Sequence, residues 1–254
     1  TTLFRSACAA GTVALGQGFR AVRDGSLDCA IAGGAEYLRD DFGGIFRGFD
    51  SAGTLVRSKD SAEEANRPFD NGRSGFLFGE GGAAFMVLEE RKRALRRGVR
   101  PLAEIAGFAQ TFDAHSIMAL EPDGEQIRRM IREALGDARM SPDDIDLINA
   151  HGTGTIPNDA LEARVIQETF PHDPPVTATK SLTGHTFGAA GAIEAAVTAL
   201  SIRDKTTHVC HNLTDPVRDL NFVTEVTTAP ISTALTHSFA FGGHNAGLVL
   251  KEAG

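Results

Sequence analysis

One thiol, two imidazoles and one amine stand in this chain where their surroundings suit chemistry. Cys8 lies among small residues in Ser6-Ala7-Cys8-Ala9-Ala10-Gly11, where a helix is expected to begin. A thiol at a helix N-terminus meets the positive end of the dipole and free backbone N–H groups, which favours thiolate and suits an oxyanion. An isolated Cys is more commonly a buried structural residue. Cys29 and Cys210, in or beside apolar strand-like runs, read that way. His151 follows an apolar run in Asn149-Ala150-His151-Gly152-Thr153-Gly154-Thr155, where glycines let substrate approach the backbone and Thr153 and Thr155 add hydroxyls. Alone it would be an ordinary loop histidine. Lys180 and His185 share the segment Lys180-Ser181-Leu182-Thr183-Gly184-His185. Lys180 follows Thr177-Ala178-Thr179 and is expected to be partly buried, which requires a carboxylate partner; Asp159 and Glu162 are the candidates. Together the four groups fall at equivalent strand-to-helix junctions, where ligands bind in open α/β sheets.

The elements that must position them follow from periodicity. Leu102–Phe112 reads as a strand, and 123–138 as a helix with Ile127, Met130, Ile131, Ala134 and Leu135 on one face. Strand 145–150, helix 158–170, strand 176–179 and an Ala-rich helix over 188–203 come next. Two apolar runs, 234–239 and 246–250, close the chain around a Gly-Gly turn. This βαβαβαββ order implies crossovers and a largely parallel sheet. Upstream, residues 8–23 fit a helix, 29–35 a buried strand, and 75–78 with 83–88 a strand pair split by Gly79-Glu80-Gly81-Gly82; 50–71 is expected to be loop. A sheet that starts at a helix is incomplete, so the expectation is a fragment, or partner strands supplied from elsewhere.

Composition narrows the function classes. The 254 residues carry 25 Lys plus Arg against 33 Asp plus Glu, a net charge of −8, which disfavours general nucleic-acid or membrane-surface binding. No apolar run reaches a membrane span of about 18 residues. A soluble cytosolic protein is expected. Three Cys without CxxC spacing, and no HExxH, leave no disulfide framework and no metal site. A strand rather than a helix follows Gly79-Glu80-Gly81-Gly82, so NAD and ATP are not implied. His115, His172, His208, His211, His237 and His244 read as surface or turn residues, with His115 and His244 somewhat stronger candidates for function. Arg91-Lys92-Arg93 with Arg96, Arg97 and Arg100 reads as a solvated helix face that is also able to dock an acidic partner.

These residues resemble the β-ketoacyl-acyl-carrier-protein synthases, condensing enzymes of the thiolase superfamily. The resemblance rests on SACAAG at 6–11, RPFD at 67–70, GFLFGEGG at 75–82, NAHGTGT at 149–155, PND at 157–159, KSLTGHTFGAAG at 180–191 and SFAFGGHNA at 238–246, in family order. NFVTEV at 221–226 and the surroundings of Cys8 resemble synthase I and its polyketide or polyene relatives more than synthase II.

The resemblance implies a thiolase-like α/β fold of two βαβαβαββ halves layered α/β/α/β/α. Residues 1–100 would be the remainder of the N-terminal half and 101–254 the C-terminal half; the missing N-terminal segment of the same fold lies upstream of the Cys. It further implies acyl-carrier-protein substrates, a homodimer or ketosynthase heterodimer, and no cofactor, since phosphopantetheine arrives on the carrier. By the same resemblance Cys8 is the acyl-accepting nucleophile, and its N–H with that of Phe241, the gate, forms the oxyanion hole. His151 and His185 stabilise the enolate left by malonyl decarboxylation. Lys180 orients His151 through an Asp159/Glu162 network, and Thr153 and Thr155 touch the phosphopantetheine arm. Carrier docking would fall to Arg57, Lys59 or the Arg91–Arg100 face.

Two residues depart from the pattern: Ala240 for the Gly before the gating Phe, expected to stiffen that loop, and His244 for the Thr after Gly-Gly, expected to add a donor near the pocket. A thiolase is disfavoured because 241–245 holds no second Cys. Cys8 itself disfavours the chain-length-factor and Gln-substituted decarboxylase subtypes. A non-catalytic or partner-dependent ketosynthase subunit is the alternative.

Overall fold

A computed structural model describes residues 2–57 and 61–254; Lys59 lies outside them. A 3-10 turn over Ala7–Ala9 carries Cys8 into α1 (Ala10–Arg23). Then follow β1 (Cys29–Tyr37), α2 (Gly44–Ser51), β2 (Gly81–Glu89) and α3 (Arg91–Arg96). The remainder runs β3 (Glu104–Phe112), α4 (Glu125–Ala138), β4 (Leu147–Asn149), α5 (Ile156–Thr169), β5 (Val176–Thr177) and the single turn α6 (Lys180–Thr183). It ends with α7 (Ala190–Asp204), β6 (Thr233–Ala240) and β7 (His244–Lys251). Among the described residues no helix is long and apolar enough to cross a membrane.

The apolar spacing read along 123–138 is what folds α4: Ile127, Met130, Ile131, Ala134 and Leu135 are all buried. The helix stops at Arg139, which takes the left-handed conformation at φ 58°. Helix α7 is Ala-rich because it is packed nearly all round, and only small side chains let neighbours approach so closely.

The five-stranded sheet has the order β3-β7-β6-β4-β5. Pairs β4–β5 and β4–β6 are parallel, whereas β3–β7 and β6–β7 are antiparallel. The expected largely parallel sheet is therefore mixed, because the closing hairpin β6–β7 sits inside it. Side chains alternate between two cores. On β7, Leu248 and Leu250 face α1 and α7, while Val249 faces α4 and α5. Strands β1 and β2 form an antiparallel ribbon on the far side of α1 and α7. The order of layers is thus α4/α5, five-stranded sheet, α1/α7, ribbon. Two stretches repeat one another: 3-10 turn, helix and antiparallel strand pair occur over Ala7–α1–β1–β2 and again over Phe187–α7–β6–β7, with α1 packed on α7.

Other expectations change. Residues 75–78 form no strand with 83–88; Phe76 and Phe78 make only isolated bridges, to Leu55 and His185. The partner of β2 is β1, in register from Cys29 opposite Glu89 to Tyr37 opposite Gly81. Asp50 and Ser51, expected in a loop, end α2. Its Phe46 and Phe49 pack on aromatic rings from 76–78 and 187, at the edge of the core that holds Phe76 and Phe187. Cys210 is buried as expected, but Cys29 is exposed at the start of β1.

Helices α1 and α7 cross where glycines leave no room for a side chain. A Cβ on Gly11 would lie 2.6 Å from the Ala192 nitrogen, and one on Gly191 would overlap the Thr12 hydroxyl. Gly11→Ala is therefore expected to destabilise the protein by about 1–3 kcal/mol, since backbone must move to admit the methyl. Chemical denaturation would measure it, and a loss below about 0.5 kcal/mol, the range of neutral surface changes, would contradict this packing.

Candidate active site

Four chain segments converge on one cavity of about 330 Å³ lined by Cys8, His151, His185, Thr153, Thr155 and Phe241, among others. The carboxyl end of β4 delivers His151, two residues past Asn149. The turn after β5 delivers Lys180, and the chain leaving α6 delivers His185. The 3-10 turn before α1 holds Cys8, and the β6–β7 hairpin presents Phe241. That hairpin turns through Gly242 and Gly243 at φ 86° and 83°, a conformation that strains any side chain. Thr153 and Thr155 line the cavity with their hydroxyls 2.9 Å apart.

The sulfur and imidazoles are in direct register. His185 Nε2 is 3.1 Å from Cys8 Sγ, and the His151 and His185 rings meet edge to face with centroids 5.6 Å apart. Each ring has a donor at Nδ1. Lys180 Nζ donates to His151 Nδ1 at 3.0 Å, and the Phe187 N–H donates to His185 Nδ1 at 3.3 Å. A neutral imidazole that accepts at Nδ1 carries its hydrogen on Nε2. Burial, and after it the Lys180 charge, hold both imidazoles well below the ordinary histidine range. The site therefore presents two neutral Nε2–H donors.

Lys180 is 1% exposed and donates to three acceptors: His151 Nδ1, the His151 carbonyl at 2.6 Å and the Glu194 carboxylate. Its carboxylate partner is thus Glu194 on α7, not Asp159 or Glu162. Those two already have other donors. Glu162 accepts the His151 and Gly152 N–H groups at 2.7 and 2.9 Å, Asn158 Nδ2 at 3.1 Å and His237 Nε2 at 2.6 Å. Asp159 accepts the Phe69 N–H at 2.7 Å and lies 3.7 Å from Arg73. Burial still pushes its carboxyl up to about 6. Both acids brace the glycine-rich loop that carries His151.

Cys8 also departs from expectation. It is 3% exposed, and burial pushes its thiol up to about 12 although Lys180 pulls the other way. Desolvation outweighs the helix end, so the resting sulfur is a thiol.

Several residues of the site lay outside the sequence reading. Glu194 is the lone charge in an otherwise apolar stretch of α7, which is a legible sign of a buried partner. His237 is fully buried in β6, not at the surface or in a turn. The rings of Phe49, Phe76, Phe78 and Phe187 cluster beside the cavity, with His185 stacked on Phe187 at 4.6 Å. His244 packs edge to face on Phe112 and lines a separate cavity with Arg5, away from Cys8, whereas Ala240 lines the Cys8 cavity. On the surface, Arg57 pairs with Asp50, and Arg93 and Arg97 pair with Glu89; Arg96 is largely exposed.

Comparison with known proteins gives matches along nearly the whole chain. Residues 2–94 match the profile of the beta-ketoacyl synthase N-terminal domain, and residues 102–214 that of its C-terminal domain. Proteins named 3-oxoacyl-[acyl-carrier-protein] synthase 2 from Coxiella burnetii and Staphylococcus aureus are 40% and 42% identical over 253 residues. The alignments cover 97% of this chain and 60% of each relative, so the chain spans about three fifths of their length. These names run against the expected leaning to synthase I. Among solved structures, a type II polyketide ketosynthase in complex with its acyl-carrier protein and a hexaketide superposes with a TM-score of 0.92 at 32% identity, covering 98% of this chain and 62% of that one. The ishigamide ketosynthase/chain length factor gives 0.90 at 37%, covering 100% and 61%.

The electrostatics make two measurable predictions. Alkylation of Cys8 by iodoacetamide is expected to be slow at neutral pH and to climb about tenfold per pH unit from 7 to 10, as for a thiol far below its pKa; a plateau below pH 8 would mean a resting thiolate. The ¹⁵N signals of His151 and His185 are expected to stay in the neutral Nε2–H form from pH 8 to about pH 6, below the ordinary value of about 6.5. Uptake of a proton by either ring in that interval would contradict the burial argument.

Proposed function

The chain belongs to the β-ketoacyl synthase family, and on that premise we propose that it carries out the decarboxylative condensation of a Cys8-bound acyl group with malonyl-acyl-carrier protein. The product is a β-ketoacyl-acyl-carrier protein, in fatty-acid, polyketide or polyene synthesis. One observation carries this assignment: a buried thiol within 3.1 Å of one of two neutral Nε2–H imidazoles that share its cavity.

The first half-reaction is thioester exchange. Cys8 sulfur bonds the acyl carbon, the carrier's sulfur leaves, and the proton of the Cys8 thiol ends on that departing sulfur. The tetrahedral oxyanion would rest on the N–H groups of Cys8 and Phe241. Acylation takes Cys8 out of its contact with His185 and frees that Nε2–H for the second substrate. In the second half-reaction the malonyl carbon–carbon bond breaks, CO2 leaves, and the electron pair develops as an enolate whose oxygen accepts from His151 and His185. The enolate carbon attacks the acyl carbon, Cys8 sulfur departs, and one proton from solvent restores the thiol.

Both donors must be neutral and fixed, which is the contribution of Lys180 and the Phe187 N–H. Each is worth about 3 kcal/mol to the developing charge in a dry cavity. Thr153 and Thr155, at the cavity wall, suit the phosphopantetheine arm, so no resident cofactor is called for. Work on carrier-borne substrates fits a cytoplasmic protein acting as a homodimer or a ketosynthase heterodimer.

Cys8→Ala is expected to abolish acyl transfer, read as intact mass after incubation with acyl-carrier-protein thioesters, while malonyl decarboxylation remains measurable. An acyl adduct surviving on that variant would displace Cys8 as nucleophile. His185→Ala is expected to slow decarboxylation about 10²-fold or more, the range seen for single oxyanion donors, and to slow Cys8 acylation less. Equal loss of both half-reactions would make His185 structural.

A further inference from the structure

His237 touches His151 by two routes without reaching the cavity. Its side chain is fully buried within β6 and is not part of the cavity lining. By the first route, His237 Nε2 donates to Glu162 Oε1 at 2.6 Å, the same oxygen that accepts the His151 N–H at 2.7 Å. By the second, the His237 ring stacks on Phe239, centroids 5.0 Å apart and planes 18° from parallel. Phe239, two residues on and therefore on the same face of the strand, meets the His151 ring edge to face at 5.4 Å.

The three buried carboxylates behind the cavity are not equivalent. Glu194 holds the Lys180 ammonium, and Asp159 lies 3.7 Å from the Arg73 guanidinium. Glu162 has neither: besides the loop N–H groups and the Asn158 amide, it is held by His237 alone. A buried carboxylate needs fixed donors on both oxygens if it is to stay in one orientation. Without His237, Oε1 would retain only the His151 N–H that it is meant to hold.

We propose that His237 is a positioning residue for the decarboxylation half-reaction: through its bond to Glu162 it fixes the carboxylate that holds the backbone of His151. The inference rests on the assignment of His151 as an enolate donor. Positioning of this kind affects the step in which His151 acts and leaves thioester exchange at Cys8 largely alone.

The test compares His237→Phe, which keeps the stack but removes the N–H, with His237→Gln, whose amide can still donate to Glu162. In the Phe variant of the protein in its native assembly, kcat for malonyl decarboxylation is expected to fall about tenfold or more, as for a displaced catalytic group, with KM within about twofold and the Cys8 acylation rate within about threefold. His237→Gln is expected to recover kcat to within about threefold of the parent. Unchanged decarboxylation in the Phe variant, or equal loss of both half-reactions without recovery by Gln, overturns the proposal. If the Phe variant does not fold, His237→Asn, too short to span to Glu162, replaces it with the same expectations. If the parent shows neither half-reaction, the assignment of function fails; the ¹⁵N signals of His151 then decide the positioning role. They should move in the Phe or Asn variant and return with Gln, and signals that do not move overturn it.

Discussion

A lysine ammonium that is 1% exposed must give each of its three N–H bonds an acceptor, and Lys180 gives them to the ring nitrogen of His151, the carbonyl of His151 and the carboxylate of Glu194. Most of the site follows from this one buried cation. Its bond to Nδ1 sets the tautomer of His151, and its charge opposes protonation of both imidazoles. Its need for a counter-ion fixes where α7 presents Glu194. Losing one partner would leave a buried charge uncompensated, which costs several kcal/mol in comparable settings.

The same cation cannot make Cys8 a thiolate. Lys180 lowers the thiol's pKa, but burial raises it more, and the balance lies at about 12. A cavity dry enough to strengthen two hydrogen-bond donors is also one that disfavours an isolated anion. His185 Nε2 is the polar partner that this buried sulfur has in the cavity.

The fold supplies this arrangement by bringing strand ends together. In the five-stranded sheet β4 lies between β5 and β6, so His151, the Lys180–His185 segment and the Phe239–Phe241 hairpin emerge side by side. Cys8 arrives from the other direction. Its helix α1 packs on α7 through glycines, and that close approach sets the distance between the sulfur and the imidazoles. Asp159 and Glu162 then tie down the glycine-rich loop, which would otherwise be too permissive to hold the His151 ring still.

Much of this was legible in the residues themselves. Regular apolar spacing announced α4 and an Ala-rich run announced α7, and the types and contexts of Cys8, His151, Lys180 and His185 singled them out, because local backbone chemistry and motif order are one-dimensional properties. Three things were not. The partner of Lys180 is Glu194 rather than Asp159 or Glu162, which are already occupied by N–H groups, a matter of which faces meet. His237 looked like any surface or turn histidine; only a sheet covered on both faces buries it against Glu162. The state of Cys8 differs from the thiolate that its helix start favours, because a helix start is visible in sequence and desolvation is not. Sequence thus determined which groups are available and on which elements. Tertiary packing alone decided which of them touch and how dry the place is where they do, and those two quantities set charge, tautomer and reactivity.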